Sequence, residues 1–478
     1  MGIQLIKIRL KGFATNSSSS HSVIIAGTAS NHSGPSTGDF GWESFLQSTP
    51  NEKMQYLAQA LFDCLAGYGN ESADKKKRAA SIVKELLGVK CSTDSEGIDH
   101  QSGLEIPKRV NGDLALEFWK EFSRALSDDS TVEILGGSDG DDTNAEEHPF
   151  WGSVRDRLNH YNSTYKVRKD GNVWTLFNMC GGEKVVISLE DREYVKGFKP
   201  QRPELMDLKI TNNCDIGCKF CYQNSVPNGK HASLRNVANV VKAMSDAEVF
   251  EIALGGGEPT SHPDFLKILN TIKLHGMVAN FSSKNYAYFT DARLEELKGK
   301  MGAVGISVGS VADAKKYVDI ATRACVNISN MFSTSKLMMH YILDEHPMSN
   351  LVEILNVLGK ANQIKHHILL LGKKSGGRSD GNFIDNTGWS ILLNEYIKRN
   401  GLELDISADT LVVNRYPYDL KSIDKEHYYN EEGRFSVYVD AVDKKFGKAS
   451  YGTKLMPYKS PKDILEAFKV WKPERISQ

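Results

Sequence analysis

Residues 204–400 predict an α/β fold, a partial (β/α)6 TIM-like barrel, between an N-terminal α+β section and a C-terminal β-hairpin extension. Three observations predict it. Strand-length apolar runs alternate with helix-period segments six times in this stretch, and strands that alternate with helices build a parallel sheet. Two short chemistry-bearing motifs follow the first two of those strands, at the end where such barrels collect their functional loops. The longest apolar runs, "HILLLG" and "VFEIAL", are strand-length and far short of the ~20 residues that a membrane span needs.

The chain has 478 residues, enough for two or three domains with a large core. Charged residues make up 25% and hydrophobic ones 40%, with a formal net charge of −1, so the basic footprint of non-specific nucleic-acid binding is missing. The start, "MGIQLIKIRLKGF", alternates apolar and basic residues and has no signal-peptide core. Ile6 stands where a myristoylation signal needs Ser or Thr. These features predict a cytoplasmic protein whose thiols stay reduced.

Residues 1–145 form a mixed section with Ser/Gly/Asp-rich breaks. Residues 146–203 form a small β segment leading into the barrel. It holds a strand pair turning at Asp170-Gly171, then "EKVVISL". In the barrel section "LMDLKIT" is the first strand. Ser233 then caps a helix with Val237, Val240, Val241 and Met244 on one face. "FEIALGGG" is a buried strand, and Phe265, Ile268, Leu269 and Ile272 mark the next helix. "MVANFSS", a helix from Asp291, "AVGISVGS" and a helix from Val311 continue the series. "KLMMHYIL", a helix with Leu351, Ile354, Leu355 and Leu358, and "HHILLLG" complete six strands. In residues 401–478, "FSVYVDAV" and a turn at Asp443-Lys444-Lys445 predict the hairpin.

"TNNCDIGCKFCYQNS" places Cys214, Cys218 and Cys221 in eight positions, directly after the first strand. A disulfide framework does not suit an odd trio when the chain's other four cysteines are scattered. Zinc wants a fourth ligand at a recognisable spacing, and no second Cys or His pair follows nearby. Three thiolates on a short loop suit a [4Fe-4S] cluster with one iron left open, a reading that needs support from elsewhere in the chain. The other cysteines (Cys64, Cys91, Cys180, Cys325) read as buried small hydrophobes.

That support comes one strand later. "CDIGCKFC" followed by "GGEP" resembles the radical S-adenosylmethionine (radical SAM) superfamily over about 200 residues, with both motifs in order and on matching elements. The resemblance implies a [4Fe-4S] cluster on Cys214, Cys218 and Cys221, S-adenosyl-L-methionine (SAM) on its open iron, and cleavage to a 5′-deoxyadenosyl radical. It implies an external one-electron donor of the flavodoxin or ferredoxin type. Tyr222 matches the aromatic residue that covers the cluster. Gly256, Gly257, Glu258 and Pro259 match the segment at the methionine amino group, where glycine lets the backbone approach the ligand. Ser283 and Asn285 match a turn near the methionine carboxylate, and Ser307 a ribose contact. Gly309 stands where the family often has Asp. Arg378 matches a sixth-strand residue facing the methionine carboxylate or the substrate, while Lys373 and Lys374 beside it read as solvated.

The C-terminal hairpin resembles the tail of the peptide-modifying branch of that superfamily, without its cysteine-rich auxiliary-cluster domain, since no cysteine follows Cys325. The resemblance favours hydrogen abstraction from a peptide or protein side chain. A nucleotide or hypermodified base, as in phage-type enzymes, is the alternative substrate, and a non-catalytic cluster-binding regulator the alternative class. Methyl transfer is disfavoured because extra cysteines and a cobalamin section are missing. The N-terminal section resembles uncharacterised Thr-Asn-Ser-rich phage and bacterial proteins. It reads as turn-rich loop, or as a polar site built from His21, Asp99, His100 and Asp139.

Overall fold

A computed structural model of the chain describes residues 4–9, 24–27, 45–66, 72–91, 112–130, 132–136, 165–180, 182, 184–188, 198–327, 337–361, 364, 366–402, 404–419 and 431–476. His21, Asp99, His100 and Asp139, raised as an N-terminal polar site, lie outside the described residues. The chain divides into two compact units, Met1–Phe198 and Lys199–Gln478.

The first unit contains two antiparallel sheets. Strands β1 (Gln4–Arg9), β5 (Tyr165–Asp170), β6 (Val173–Asn178) and β7 (Lys184–Ser188) pair in the order β1-β7-β6-β5. Strands β2 (Ile24–Gly27), β3 (Phe45–Gln47) and β4 (Val132–Gly136) pair as β2-β4-β3. The hairpin expected at Asp170-Gly171 is the β5–β6 turn, with Gly171 at φ 63°. Helices Pro50–Ala66 and Gly112–Asp128 send Tyr56, Leu57, Trp119 and Phe122 into one core with Val167, Trp174 and Ile187. Each such side chain contributes about 1.5–3 kcal/mol on burial.

In the second unit the six strands read from the sequence lie parallel and in chain order. They are β8 (Leu205–Thr211), β9 (Glu251–Gly256), β10 (Val278–Ser283), β11 (Val304–Ser307), β12 (Leu337–Ile342) and β13 (His366–Leu371). The intervening helices carry the expected stripes: Val237, Val240, Val241 and Met244 on Leu234–Asp246, then Ile268, Leu269 and Ile272 on Phe265–Leu274, are all at 0% exposure. Serine and threonine start them. The Ser233, Thr290 and Ser310 side chains each accept a first-turn backbone N–H.

The sheet extends beyond those six at both edges. β14 (Leu404–Ala408) adds a seventh parallel strand on β13, and β15 (Ser436–Asp440) pairs parallel with β8 on the opposite side. Strands β16 (Lys445–Gly447) and β17 (Met456–Pro457) follow antiparallel, and Lys444 takes φ 53° in the predicted turn. The hairpin is thus continuous with the barrel sheet, which stays open between β14 and β17. Leu411, Ala449, Tyr451 and Ile476, with Tyr222 packed on them, form a small apolar cluster uniting the helix after β14 with the C-terminal segment.

Alternation along β8 sends Met206, Leu208 and Ile210 to the apolar core and Asp207 and Lys209 to the other face. There Lys209 pairs with Asp440 at 3.1 Å, and Asn280 donates to Glu251 at 2.9 Å. The His340 ring packs on Gly305, where a Cβ would meet it at 2.0 Å. The barrel interior is polar.

Candidate functional site at the carboxyl ends of the strands

The loop leaving β8 returns on itself before the next helix. Val226 N–H donates to Asn212 O at 3.2 Å, and Cys214 N–H donates to Val226 O at 3.1 Å. Inside this ring of backbone, Cys221 N–H reaches Cys218 O at 3.3 Å, and Gly217 turns the chain at φ 68°. His231 binds the Thr211 hydroxyl at 2.8 Å and stacks edge-on against His262 at 5.1 Å. Burial keeps the His262 ring below its ordinary pKa. The far arm of the loop is therefore locked to the end of β8.

All seven cysteines are free thiols. Cys214, Cys218 and Cys221 are half-buried, and burial raises the Cys214 pKa. Cys325 is buried as expected, and Cys64 and Cys91 are half-buried; the Cys91 thiol is pushed up to about 12 by burial and by Asp63. Cys180 departs from expectation. It is exposed, because it lies in the turn after β6 rather than on a packed face.

The second strand ends against the first loop. Gly257 N–H donates to Thr211 O at 2.7 Å and Glu258 N–H to Asn213 O at 2.8 Å. A Cβ on Gly256, which has φ 118°, would meet Thr211 O at 2.3 Å, and one on Gly257 would meet Asn213 O at 2.2 Å. Glycine was expected here for close approach to a ligand. The close approach seen is to the chain's own backbone at the start of the cysteine loop.

Glu258 is 4% exposed and its carboxylate accepts four bonds. The Thr260 N–H (3.2 Å), Thr260 hydroxyl (2.7 Å) and Ser283 hydroxyl (2.8 Å) donate to Oε1, and Lys284 N–H (3.0 Å) donates to Oε2. Asn285 N–H donates to Ser283 Oγ at 3.0 Å, and its side chain to Thr260 Oγ1 at 3.1 Å. Glu258, Ser283 and Asn285 therefore meet in one network, while Pro259 opens a short buried turn beside it. Ser307 lies at the end of β11, where its carbonyl accepts from the Tyr286 hydroxyl at 2.5 Å. At Gly309, in place of the familiar Asp, the backbone N–H donates to Asp313 Oδ2 at 3.3 Å. Burial and Asp313 raise the Tyr286 pKa. Tyr286 and Asp313 were not singled out in the sequence; neither belongs to a motif.

Arg378 lies against the cysteine loop. Its Nε donates to Cys218 O (3.3 Å), its Nη1 to Ser225 O (2.7 Å) and Asn224 Oδ1 (3.4 Å), and its backbone N–H to Cys221 O (2.9 Å). Lys373 is not solvated: it pairs with Glu345 at 3.0 Å and Asp380 at 3.1 Å. Lys374 also departs from expectation. It is half-buried, with its ammonium 5.0 Å from the Tyr222 ring centre and 4.6 Å from that of Tyr451. The Tyr222 hydroxyl in turn meets Ser450 Oγ at 3.1 Å. Burial raises Asp207 and Asp409 to about 6 against the pull of Lys374, and burial with Lys374 lowers His340 to about 4.

Among the described residues, no three His, Cys, Asp or Glu side chains are already gathered as metal ligands. The donor set still suits a four-iron cluster: three thiols of one short loop, free of disulfides and half-buried, at the carboxyl end of a barrel strand.

The fold and this end of it define a class, an open parallel barrel bearing a three-thiol loop beside a Gly-Gly-Glu-Pro turn. Residues 208–330 match the family model "Radical SAM superfamily". Its cofactors are a [4Fe-4S] cluster and SAM. The chain is 22% identical over 144 residues to mycofactocin maturase MftC of Mycolicibacterium smegmatis, a match covering 28% of this chain and 37% of that protein. It is 26% identical over 133 residues to GTP 3′,8-cyclase of Vibrio vulnificus, covering 27% and 38%. The matches thus span less than two-fifths of these curated relatives. The structure of Streptococcus suis SuiB aligns with a TM-score of 0.49 and 10% identity, over 64% of this chain and 87% of that one. No helix among the described residues is long and apolar enough to cross a membrane.

Proposed function

We propose that the chain is a radical SAM enzyme that abstracts a hydrogen atom from a peptide or protein side chain. The observation that carries the reading is the joining of the two motifs: the Gly257 and Glu258 N–H groups bond the backbone at the start of the cysteine loop, at 2.7 and 2.8 Å. When bound, the cluster and SAM supply the 5′-deoxyadenosyl radical. Cys214, Cys218 and Cys221 would hold the cluster. Tyr222 covers the loop on the side of Tyr451 and Lys374. Gly256, Gly257 and Pro259 shape the turn at the methionine amino group, with Glu258 fixing that turn to Ser283 and Asn285. Ser283 and Asn285 border the side of the methionine carboxylate and Ser307 the ribose side, and Arg378 lies against the cysteine loop. The polar barrel interior receives the substrate, and an external flavodoxin- or ferredoxin-type donor supplies the electron.

The peptide reading is supported by the β15–β16 hairpin, which resembles the tail of peptide-modifying members. Similarity to a GTP cyclase favours a nucleotide as the second reading. The test is anaerobic reconstitution of the full chain with iron and sulfide, reduction, and assay for 5′-deoxyadenosine. Four irons per chain and 5′-deoxyadenosine from the parent, both abolished in Cys218→Ala, are expected. Iron uptake without SAM cleavage would instead support a non-catalytic cluster-binding regulator.

A further inference from the structure

We propose that residues 374–378, the loop after β13, clamp the cysteine loop, with Arg378 holding its backbone and Lys374 biasing the reduction potential of the cluster it carries. The potential arm rests on the cluster reading above; the clamp arm does not.

The cysteine loop is poorly held by itself. Between Cys214 and Ser225 its internal backbone bonds are Cys221 N–H to Cys218 O and Asn224 N–H to Cys221 O, both at or above 3.2 Å. Arg378 supplies what the loop lacks. Its planar fork spans two stretches of the loop at once, the Cys218 carbonyl from Nε and the Ser225 carbonyl from Nη1. Its backbone N–H adds the Cys221 carbonyl. Gly377, at φ 55°, brings the clamp into backbone contact: a Cβ there would lie 2.6 Å from both Cys221 O and Tyr222 O. Every acceptor on the loop side is a main-chain carbonyl or the Asn224 amide, so the clamp reads loop shape and not thiol chemistry.

Lys374 works from the other side. Its ammonium lies between the Tyr222 and Tyr451 rings, and the residue preceding Tyr222 is the third motif cysteine. Among the described residues no carboxylate lies within ion-pair distance of it; Asp207, Asp409 and Glu432 stand farther off. A cation half-withdrawn from water keeps more of its field than an exposed one. It favours the more negative, reduced state of a neighbouring cluster. Arg378 is exposed, so its charge is screened and its effect is geometric.

The experiment uses the full chain and three measurements. In the apo-protein, iodoacetamide labelling of Cys218 and Cys221 is followed by mass spectrometry. In the reconstituted protein, iron release to a chelator and the midpoint potential from a redox titration read by electron paramagnetic resonance are measured. Arg378→Ala is expected to label and to lose iron at least five-fold faster than the parent, with partial rescue by Arg378→Lys, which keeps the charge but not the fork. Lys374→Met is expected to shift the midpoint to more negative potential at unchanged iron release, and Lys374→Arg to restore it. Parent-like labelling in Arg378→Ala overturns the clamp, and a parent-like potential in Lys374→Met overturns the bias. Should Arg378→Ala not fold, Arg378→Lys decides, since parent-like labelling there removes any need for the fork. A parent that takes up no iron refutes the cluster reading and the bias with it, while the apo labelling still decides the clamp.

Discussion

Ser283 donates its hydroxyl to the Glu258 carboxylate at 2.8 Å, and through that bond the ends of β9 and β10 share one buried acid. Lys284 N–H and Thr260 complete the same carboxylate, so Glu258 ties the Gly-Gly-Glu-Pro turn to the next loop. Hydrogen bonds to a charged group contribute roughly 1.5–3 kcal/mol each. The turn beside the cysteine loop is therefore held from outside as well as by its own glycines.

Glu258→Gln should weaken SAM binding to the reconstituted protein about ten-fold or more, at 1.4 kcal/mol per decade, because the neutral amide loses the charge and turns a donor toward donors. Ser283→Ala removes one bond of four and should have the smaller effect. Titration of SAM against the reduced cluster by electron paramagnetic resonance reads both. Parent-like affinity in Glu258→Gln would leave the network no part in cofactor positioning.

Two glycines of one run should behave oppositely. A Cβ on Gly257 would lie 2.2 Å from Asn213 O, whereas one on Gly255 meets nothing within 4 Å. Gly257→Ala is expected to cut iron incorporation about ten-fold with a native circular dichroism spectrum, since a backbone clash costing a few kcal/mol displaces the cysteine loop. Gly255→Ala should incorporate iron as the parent does. Equal incorporation in the two variants would remove the case for this backbone contact.

Acid should destabilise the barrel through His366. The side chain is buried against Tyr317, and burial lowers its pKa from 6.5 to about 4. The unfolded chain takes up a proton below pH 6.5 that the folded ring refuses. Its contribution is therefore complete above that pH and declines as pH falls toward 4. From pH 7 to 5 the loss is up to about 2 kcal/mol. Asp207 and Asp409, raised to about 6 by burial, act in the other direction, losing stability as pH rises through that range. Urea unfolding of the parent and His366→Gln at both pH values isolates the histidine. The variant's stability should change less on acidification, and an equal change would show that the ring is protonated when folded.

A chain beginning at Lys199 should fold by itself. The first unit ends at Phe198, and β8 to β17 form one continuous sheet without it. Such a chain is expected to unfold cooperatively and to take up iron, while losing product formation if residues 1–198 recognise substrate. A molten, dye-binding product would mean that the N-terminal section completes the barrel core.

Periodicity and motif spacing made the six parallel strands, their helices and the three cysteines legible in the sequence, because each is a local pattern repeated over a few residues. β14 was missed for a local reason too: Leu404–Ala408 is short and half-buried throughout, so it shows no alternation. β15 was seen as a strand, but its parallel partner β8 lies more than two hundred positions earlier, and no local pattern encodes that pairing.

Tertiary structure alone decided what the charged groups do. Arg378 and Lys374 stand four residues apart in a stretch of basic and small residues. One meets the cysteine-loop carbonyls and the other two tyrosine rings, brought there from Tyr222 and Tyr451 on distant segments. Glu258 could be read as part of a motif, but not that Ser283, Thr260 and Lys284 would fill its carboxylate. Hydrophobic pattern and turn chemistry are local and survive in one dimension. The state of a charge depends on the dielectric and the partners around it, and those exist only once strands remote in sequence lie side by side.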